Sequence, residues 1–102
     1  MAYELILPHD TQNEIRDYIS SRFVDLSEQL AALAAITSEL EKLAVNPALG
    51  SPHYGGPFET RPVYRFTVSI GDVPRHVQVA YAVLRKDRKV VISGFTPISP
   101  IL

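Results

Sequence analysis

Apolar and polar positions change rhythm twice along this chain. Tyr3-Glu4-Leu5-Ile6-Leu7 is a short apolar stretch closed by Pro8, which suits a first strand and stops a helix from running through it. From there, apolar residues recur at Ile15, Tyr18, Ile19, Phe23, Leu26, Leu30, Leu33, Ile36, Leu40 and Leu43. Their spacing of three and four makes one stripe on a helix. Thr11-Gln12-Asn13-Glu14 matches the capping box, so the helix is expected to start near Thr11. An unbroken helix from Thr11 to Ala44 would reach roughly 50 Å, too long for a domain of this size. Asp25-Leu26-Ser27-Glu28 supplies a second capping signal after the Ser20-Ser21 pair, and the pattern therefore predicts a helical hairpin. The alternative with the same spacing is a long coiled-coil arm.

Asn46-Pro47 ends the second helix, and Gly50-Ser51-Pro52-His53-Tyr54-Gly55-Gly56-Pro57 reads as a loop because of its glycines and prolines. The rhythm then becomes two. Tyr64, Phe66, Val68 and Ile70 alternate with Arg65, Thr67 and Ser69. After a Gly71-Asp72-Val73-Pro74 turn, Val77, Val79, Tyr81 and Val83 alternate with His76, Gln78, Ala80 and Ala82. Lys86-Asp87-Arg88 turns the chain into a third strand, Lys89 to Phe95, and Pro97 and Pro100 stop it. Matching like with like pairs Tyr64 with Tyr81, Phe66 with Val79 and Val68 with Val77 against the helices. The opposite face would then pair Arg65 with Ala80, Thr67 with Gln78 and Ser69 with His76, joined by Ser93 and Phe95. This polar, partly basic face is the expected functional surface. The fold class predicted is α+β, in one domain over residues 1–102: an N-terminal strand, a helical hairpin and a three-stranded antiparallel meander packed on the helices.

Composition narrows the chemistry. The chain has no cysteine, which excludes disulfides and thiolate metal sites and suits the cytoplasm. Its start lacks the basic region of a secretory signal, and no apolar run approaches the roughly 18 residues that span a bilayer. No membrane is expected among its partners. The net charge of −1 hides an asymmetry: residues 1–60 carry three basic and nine acidic side chains, a balance of −6, and the remainder carries seven basic and two acidic, a balance of +5. The C-terminal half can therefore face an anion such as RNA or an acidic peptide. His9, His53 and His76 are scattered without ligand spacing, so no metal is expected. Gly55-Gly56 lacks the Lys and Ser/Thr that follow in a phosphate-binding loop, and no cofactor is expected either.

The local wording resembles the RelE/ParE toxin superfamily of type II toxin–antitoxin pairs. Leu43-Ala44-Val45-Asn46-Pro47-Ala48-Leu49-Gly50 is similar to that family's helix end and "NP..G" loop, and Tyr64-Arg65, Gly71-Asp72, Arg75 and Tyr81 fall where its pattern has them. The resemblance implies a toxin held by a cognate antitoxin, assembled as a hetero-oligomer or a homo-oligomer. RelE-like members are ribosome-dependent mRNA endoribonucleases, and ParE-like members inhibit DNA gyrase. On the nuclease reading, Arg65 and Arg75 would steady phosphate charge and His76 would act as general base or acid, since imidazole titrates near neutrality. Arg61, Arg85, Lys86, Arg88 and Lys89 are the expected RNA contacts, and Tyr81 is expected in the core. Two departures favour a gyrase inhibitor or a degenerate toxin that only binds its antitoxin. Family nucleases carry an Arg or His and then a Tyr near the C-terminus, where this chain reads Phe95-Thr96-Pro97-Ile98-Ser99-Pro100-Ile101-Leu102. They are also strongly basic, which suits work on RNA.

Overall fold

The computed structural model describes residues 2–56 and 59–98, leaving aside the side chains of 51–61. The order of elements is β1 (Glu4–Ile6), α1 (His9–Arg22), α2 (Leu26–Val45), a 3-10 turn (Pro47–Leu49), β2 (Ser51–Gly56), β3 (Glu59–Ile70), β4 (Val73–Leu84) and β5 (Lys89–Ile98). Among the described residues the strands form one sheet in the order β1-β5-β4-β3-β2, with β1 parallel to β5 and the other pairs antiparallel. The expected α+β arrangement is present, with the meander extended at both edges.

The two helices break where Asp25 was expected to cap. Phe23 closes α1, and Asp25 precedes the first residue of α2. The Gln29 side chain donates to the Phe23 carbonyl at 2.7 Å and ties the joint. No continuous arm forms. The capping box, by contrast, is not what Thr11 makes. Helix α1 starts at His9 behind Pro8, without a side-chain cap. Thr11 is only 1% exposed, and its hydroxyl donates to the Ile92 carbonyl of β5 at 2.7 Å. That bond satisfies a polar group which would otherwise be buried alone, and it fixes α1 on the sheet.

Ile15, Tyr18 and Ile19 of α1 and Ile36, Leu40 and Leu43 of α2 pack against Phe66, Val68, Val77, Val79, Tyr81, Val90 and Ile92. Each such side chain contributes about 1.5–3 kcal/mol through apolar burial. The helical stripe is not wholly consumed: Leu26, Leu30 and Leu33 are 67%, 59% and 47% exposed. They line a groove of about 410 Å³ between α1 and α2.

Four expectations about the strands are corrected. The segment taken for a loop contains β2, which pairs with β3 at the sheet edge (Pro52 opposite Pro62, His53 opposite Arg61). An edge strand tolerates proline because it need not supply a full ladder of donors. The β3–β4 register is two residues from the one expected: Tyr64 lies opposite Val79, Phe66 opposite Val77 and Thr67 opposite His76. The loop consists of Gly71 and Asp72 alone, with Gly71 at φ +64°, the geometry that a two-residue hairpin favours. A shift of two leaves every side chain on its own face, so the division into apolar and polar faces survives. Finally, Phe95 does not join the polar face. Tyr81 pairs with Ile92 and Ala80 with Gly94, so Ser93 is an extra residue, a β-bulge. The bulge resets the alternation and turns Phe95 inward, where it is 3% exposed and meets Tyr18 edge-on at 5.2 Å. Pro97 does not stop the strand either, since β5 runs through it to Ile98, with Pro97 opposite Val77; the expected stop at Pro100 lies outside the described residues.

Candidate functional site

The helices cover one face of the sheet and leave the other bare. On the bare face, cross-strand pairing stacks two polar rungs. Arg65 of β3 lies opposite Gln78 of β4, and its Nε donates to Gln78 Oε1 at 2.9 Å. On the next rung Thr67 lies opposite His76, with Thr67 Oγ1 and His76 Nδ1 3.0 Å apart. Ile98 of β5 pairs with His76 and closes a shallow cleft of about 360 Å³ lined by Arg65, Phe66, Thr67, His76 and Ile98.

These contacts orient the side chains without using up their chemistry. The bond to Gln78 engages Nε alone and leaves both terminal amino groups of Arg65 for an anion. The Thr67 hydroxyl can donate to Nδ1 or accept from it, so the contact suits either form of the ring, and Nε2 has no partner among the described residues. The two rungs therefore present a guanidinium and a ring nitrogen diagonally across β3 and β4 on an exposed surface.

Arg75 is not part of this group. Successive strand residues point to opposite faces, and Arg75 lies opposite the inward Val68. Its Cζ sits 5.3 Å from the centre of the Phe23 ring on the helical side. The basic turn is separated as well. Arg85, Lys86 and Arg88 are exposed beyond the far end of β4, nine residues from His76 and so roughly 30 Å away along the strand. Arg88 adopts φ +54° and its Cζ lies 4.9 Å from the centre of the Tyr3 ring. Lys89 is half-buried between Leu84 and Glu4 in the sheet. The Arg61 side chain lies outside the described residues.

The segment that carried the "NP..G" wording has a different office. Asn46 Oδ1 accepts from the Ala48 N–H at 3.2 Å and caps the 3-10 turn. The Tyr81 hydroxyl donates to the Pro47 carbonyl at 2.6 Å and accepts from the Gly50 N–H at 3.0 Å. A Cβ on Gly50 would lie 2.7 Å from the Val63 carbonyl oxygen and would overlap the Tyr81 phenol, so the position has room only for glycine. Tyr81 is 1% exposed, as expected of a core residue, and burial pushes its phenol pKa up. On the same side of the sheet, Tyr64 donates to Glu39 at 2.6 Å, and Glu39 pairs with Lys42 at 2.8 Å. Burial, with the Glu39 bond and charge added, pushes Tyr64 up to about 12.

No family model and no curated protein matches this sequence. Among solved structures, the free-state form of an arginine-to-alanine double mutant of the E. coli toxin RelE is similar, with a TM-score of 0.55 and 14% identity over 94% of this chain and 83% of that one. The fold is RelE-like. At that identity the likeness speaks for architecture alone, and it places the strand, hairpin and meander in the same arrangement. Within the RelE-like frame, the Asn46–Gly50 segment and Tyr81 brace the joint between α2 and the sheet. Among the described residues no cluster of three or more metal-ligating side chains forms, and no helix is long and apolar enough to cross a membrane.

Thr67 and Gln78 were expected on this face but opposite each other; the structure makes them the neighbours of His76 and Arg65 instead. The signal for them was the turn: a two-residue Gly-Asp hairpin places Thr67 beside His76 and Gln78 beside Arg65.

Proposed function

We propose that this chain is the toxin of a type II toxin–antitoxin pair and that it cleaves mRNA on the ribosome through the bare face of its sheet. The observation that supports the reading is the juxtaposition of Arg65 and His76 on adjacent rungs of a face the helices do not cover. In this mechanism His76 takes the proton of a ribose 2′-hydroxyl, the 2′-oxygen attacks the adjacent phosphorus, and the bond to the 5′-oxygen breaks. The products are a 2′,3′-cyclic phosphate and a 5′-hydroxyl, the latter taking its proton from an acid or from water. Arg65 offsets the charge that builds on the phosphate oxygens. Arg75, on the other side of the sheet, contributes to phosphate binding only where the RNA passes the strand end. Arg61, Arg85, Lys86, Arg88 and Lys89 supply outlying contacts to RNA.

The antitoxin would lay an amphipathic segment along the groove lined by Leu26, Leu30 and Leu33. The test is 5′-end mapping of mRNA in a cell-free translation reaction, with ribosomes omitted as control. Cuts that need ribosomes and recur at a fixed codon position support the reading, and cleavage that survives both Arg65→Ala and His76→Ala removes the proposed site. The departure of Arg75 from the bare face, together with the C-terminal wording, favours one other reading: a protein of this fold that inhibits DNA gyrase or only binds its antitoxin. Inhibited supercoiling with intact mRNA would establish the gyrase version.

A further inference from the structure

At the end of the sheet where α1 stops, the helical side carries a second basic group that is separate from the bare face. Arg22 holds its Cζ 5.7 Å from the centre of the Tyr18 ring, and Arg75 holds its own 5.3 Å from the centre of the Phe23 ring. The two rings meet edge to face with centres 6.4 Å apart. Two guanidinium groups thus flank one aromatic pair. Arg75 Nε is buried and has no hydrogen-bond partner among the described residues. Arg22 reaches only the neighbouring Ser21 hydroxyl, at 3.4 Å. Among the described residues neither arginine is paired with a carboxylate, and the Tyr18 hydroxyl makes no hydrogen bond. A donor removed from water and left unpaired costs about 1–3 kcal/mol, more where it is charged, so a partner that Arg75 meets by turning outward would be favoured.

We propose that Arg22, Arg75 and Tyr18 form a binding site for a phosphate group. The site offers two cations and one hydroxyl donor. A tetrahedral phosphate has enough acceptor oxygens to engage all three, whereas a carboxylate, with two oxygens in one plane and a single charge, leaves one cation uncompensated. Burial raises the Tyr18 pKa, while the fields of Arg75 and Arg22 pull it down, so both positive charges reach the phenol that completes the site. The site does not depend on the activity of Arg65 and His76, which lie on the other face.

The experiment is a titration of the full chain with inorganic phosphate at constant ionic strength, followed through the arginine Nε–Hε resonances by NMR. The Arg75 and Arg22 signals are expected to move together along one binding curve, and Arg65→Gln, on the other face, should leave that curve unchanged. Arg22→Gln removes an exposed cation and Tyr18→Phe keeps the ring, so both variants should fold. Each is expected to weaken phosphate binding by about three- to tenfold, with about tenfold or more for Arg75→Gln. Acetate should bind at least tenfold more weakly than phosphate. A short single-stranded RNA that moves the same two signals assigns the phosphate to a nucleic-acid strand, and movement by inorganic phosphate alone assigns it to a free phosphate or phosphoester. The proposal is overturned if phosphate leaves the Arg22 and Arg75 signals in place, if Arg22→Gln binds phosphate as the parent does, or if acetate binds equally well. RNA cleavage by the bare face is read separately, so neither result stands in for the other.

Discussion

The joint around Tyr81 and the rungs around His76 are built from the same strand, yet they are held in opposite ways. At the joint, one buried phenol bridges Pro47 and Gly50, and a backbone passes so close that no side chain fits at Gly50. At the rungs, Arg65, Thr67, His76 and Gln78 are joined by single bonds on a wet surface. The longest stretch that resembles a known toxin family, Leu43 to Gly50, belongs with Tyr81 to the joint, whereas of the rung residues Arg65 alone shares that wording. Similarity of wording in this chain therefore reports chiefly how the fold is braced, and it reaches the bare face at one residue.

The comparison can be broken first at the joint. Gly50→Ala should lower unfolding free energy by about 3 kcal/mol in a denaturant titration, because the added methyl meets backbone on one side and a packed ring on the other. Tyr81→Phe keeps the ring and removes the bridge. It should cost about 2 kcal/mol, since it strands the Pro47 carbonyl and the Gly50 N–H. Losses under about 0.5 kcal/mol in both would mean that the joint is not the brace described here.

A smaller effect is expected at Tyr64, on the α2 side of the sheet, and it depends on pH. Folding raises the Tyr64 pKa from 10.0 to about 12, so its contribution is complete below pH 10.0 and is lost as pH climbs toward about 12. Burial alone would raise Glu39, but bonds from Lys42 and Tyr64 and the Lys42 charge hold it below its ordinary 4.5; its contribution is complete above that value and is lost as pH falls. Tyr64→Phe should cost about 1 kcal/mol at neutral pH, remove the Tyr64 share of the alkaline loss while leaving that of Tyr18 and Tyr81, and shrink the acid loss. A parent and variant with parallel stability curves between pH 9 and 12 would show that the Tyr64–Glu39 bond does not hold in solution.

How much of this was legible depended on the kind of signal. The helical hairpin could be read because three-four spacing and the Asp25 break are local. The polar and apolar faces of β3 and β4 could be read because alternation survives any even shift. Register could not be read once Val73 and Pro74 were placed inside the turn, since a longer loop moves every partner by two. Phe95 was misplaced because a bulge cancels alternation, although Gly94 within a strand was the available hint. Edge strand β2 was hidden by Pro52 and its glycines, which an edge accepts and a central strand does not. The separation of Arg75 from His76 was legible in principle, because adjacent strand residues cannot share a face.

The smallest effect on stability should come from the rungs, and that is what makes it informative. Thr67→Val keeps the shape of a β-branched residue while removing the hydroxyl that orients His76 Nδ1. On an exposed face this should change unfolding free energy by no more than about 0.5 kcal/mol. If the bare face works on RNA, the same substitution should slow ribosome-dependent cleavage by about tenfold, since an imidazole without its orienting partner spends less time aligned for proton transfer. His76→Gln should abolish cleavage at similar stability. A Thr67→Val protein that cleaves at the parental rate would show that the Thr67–His76 contact is only surface pairing; a variant that unfolds would show that the rungs, like the joint, serve the fold.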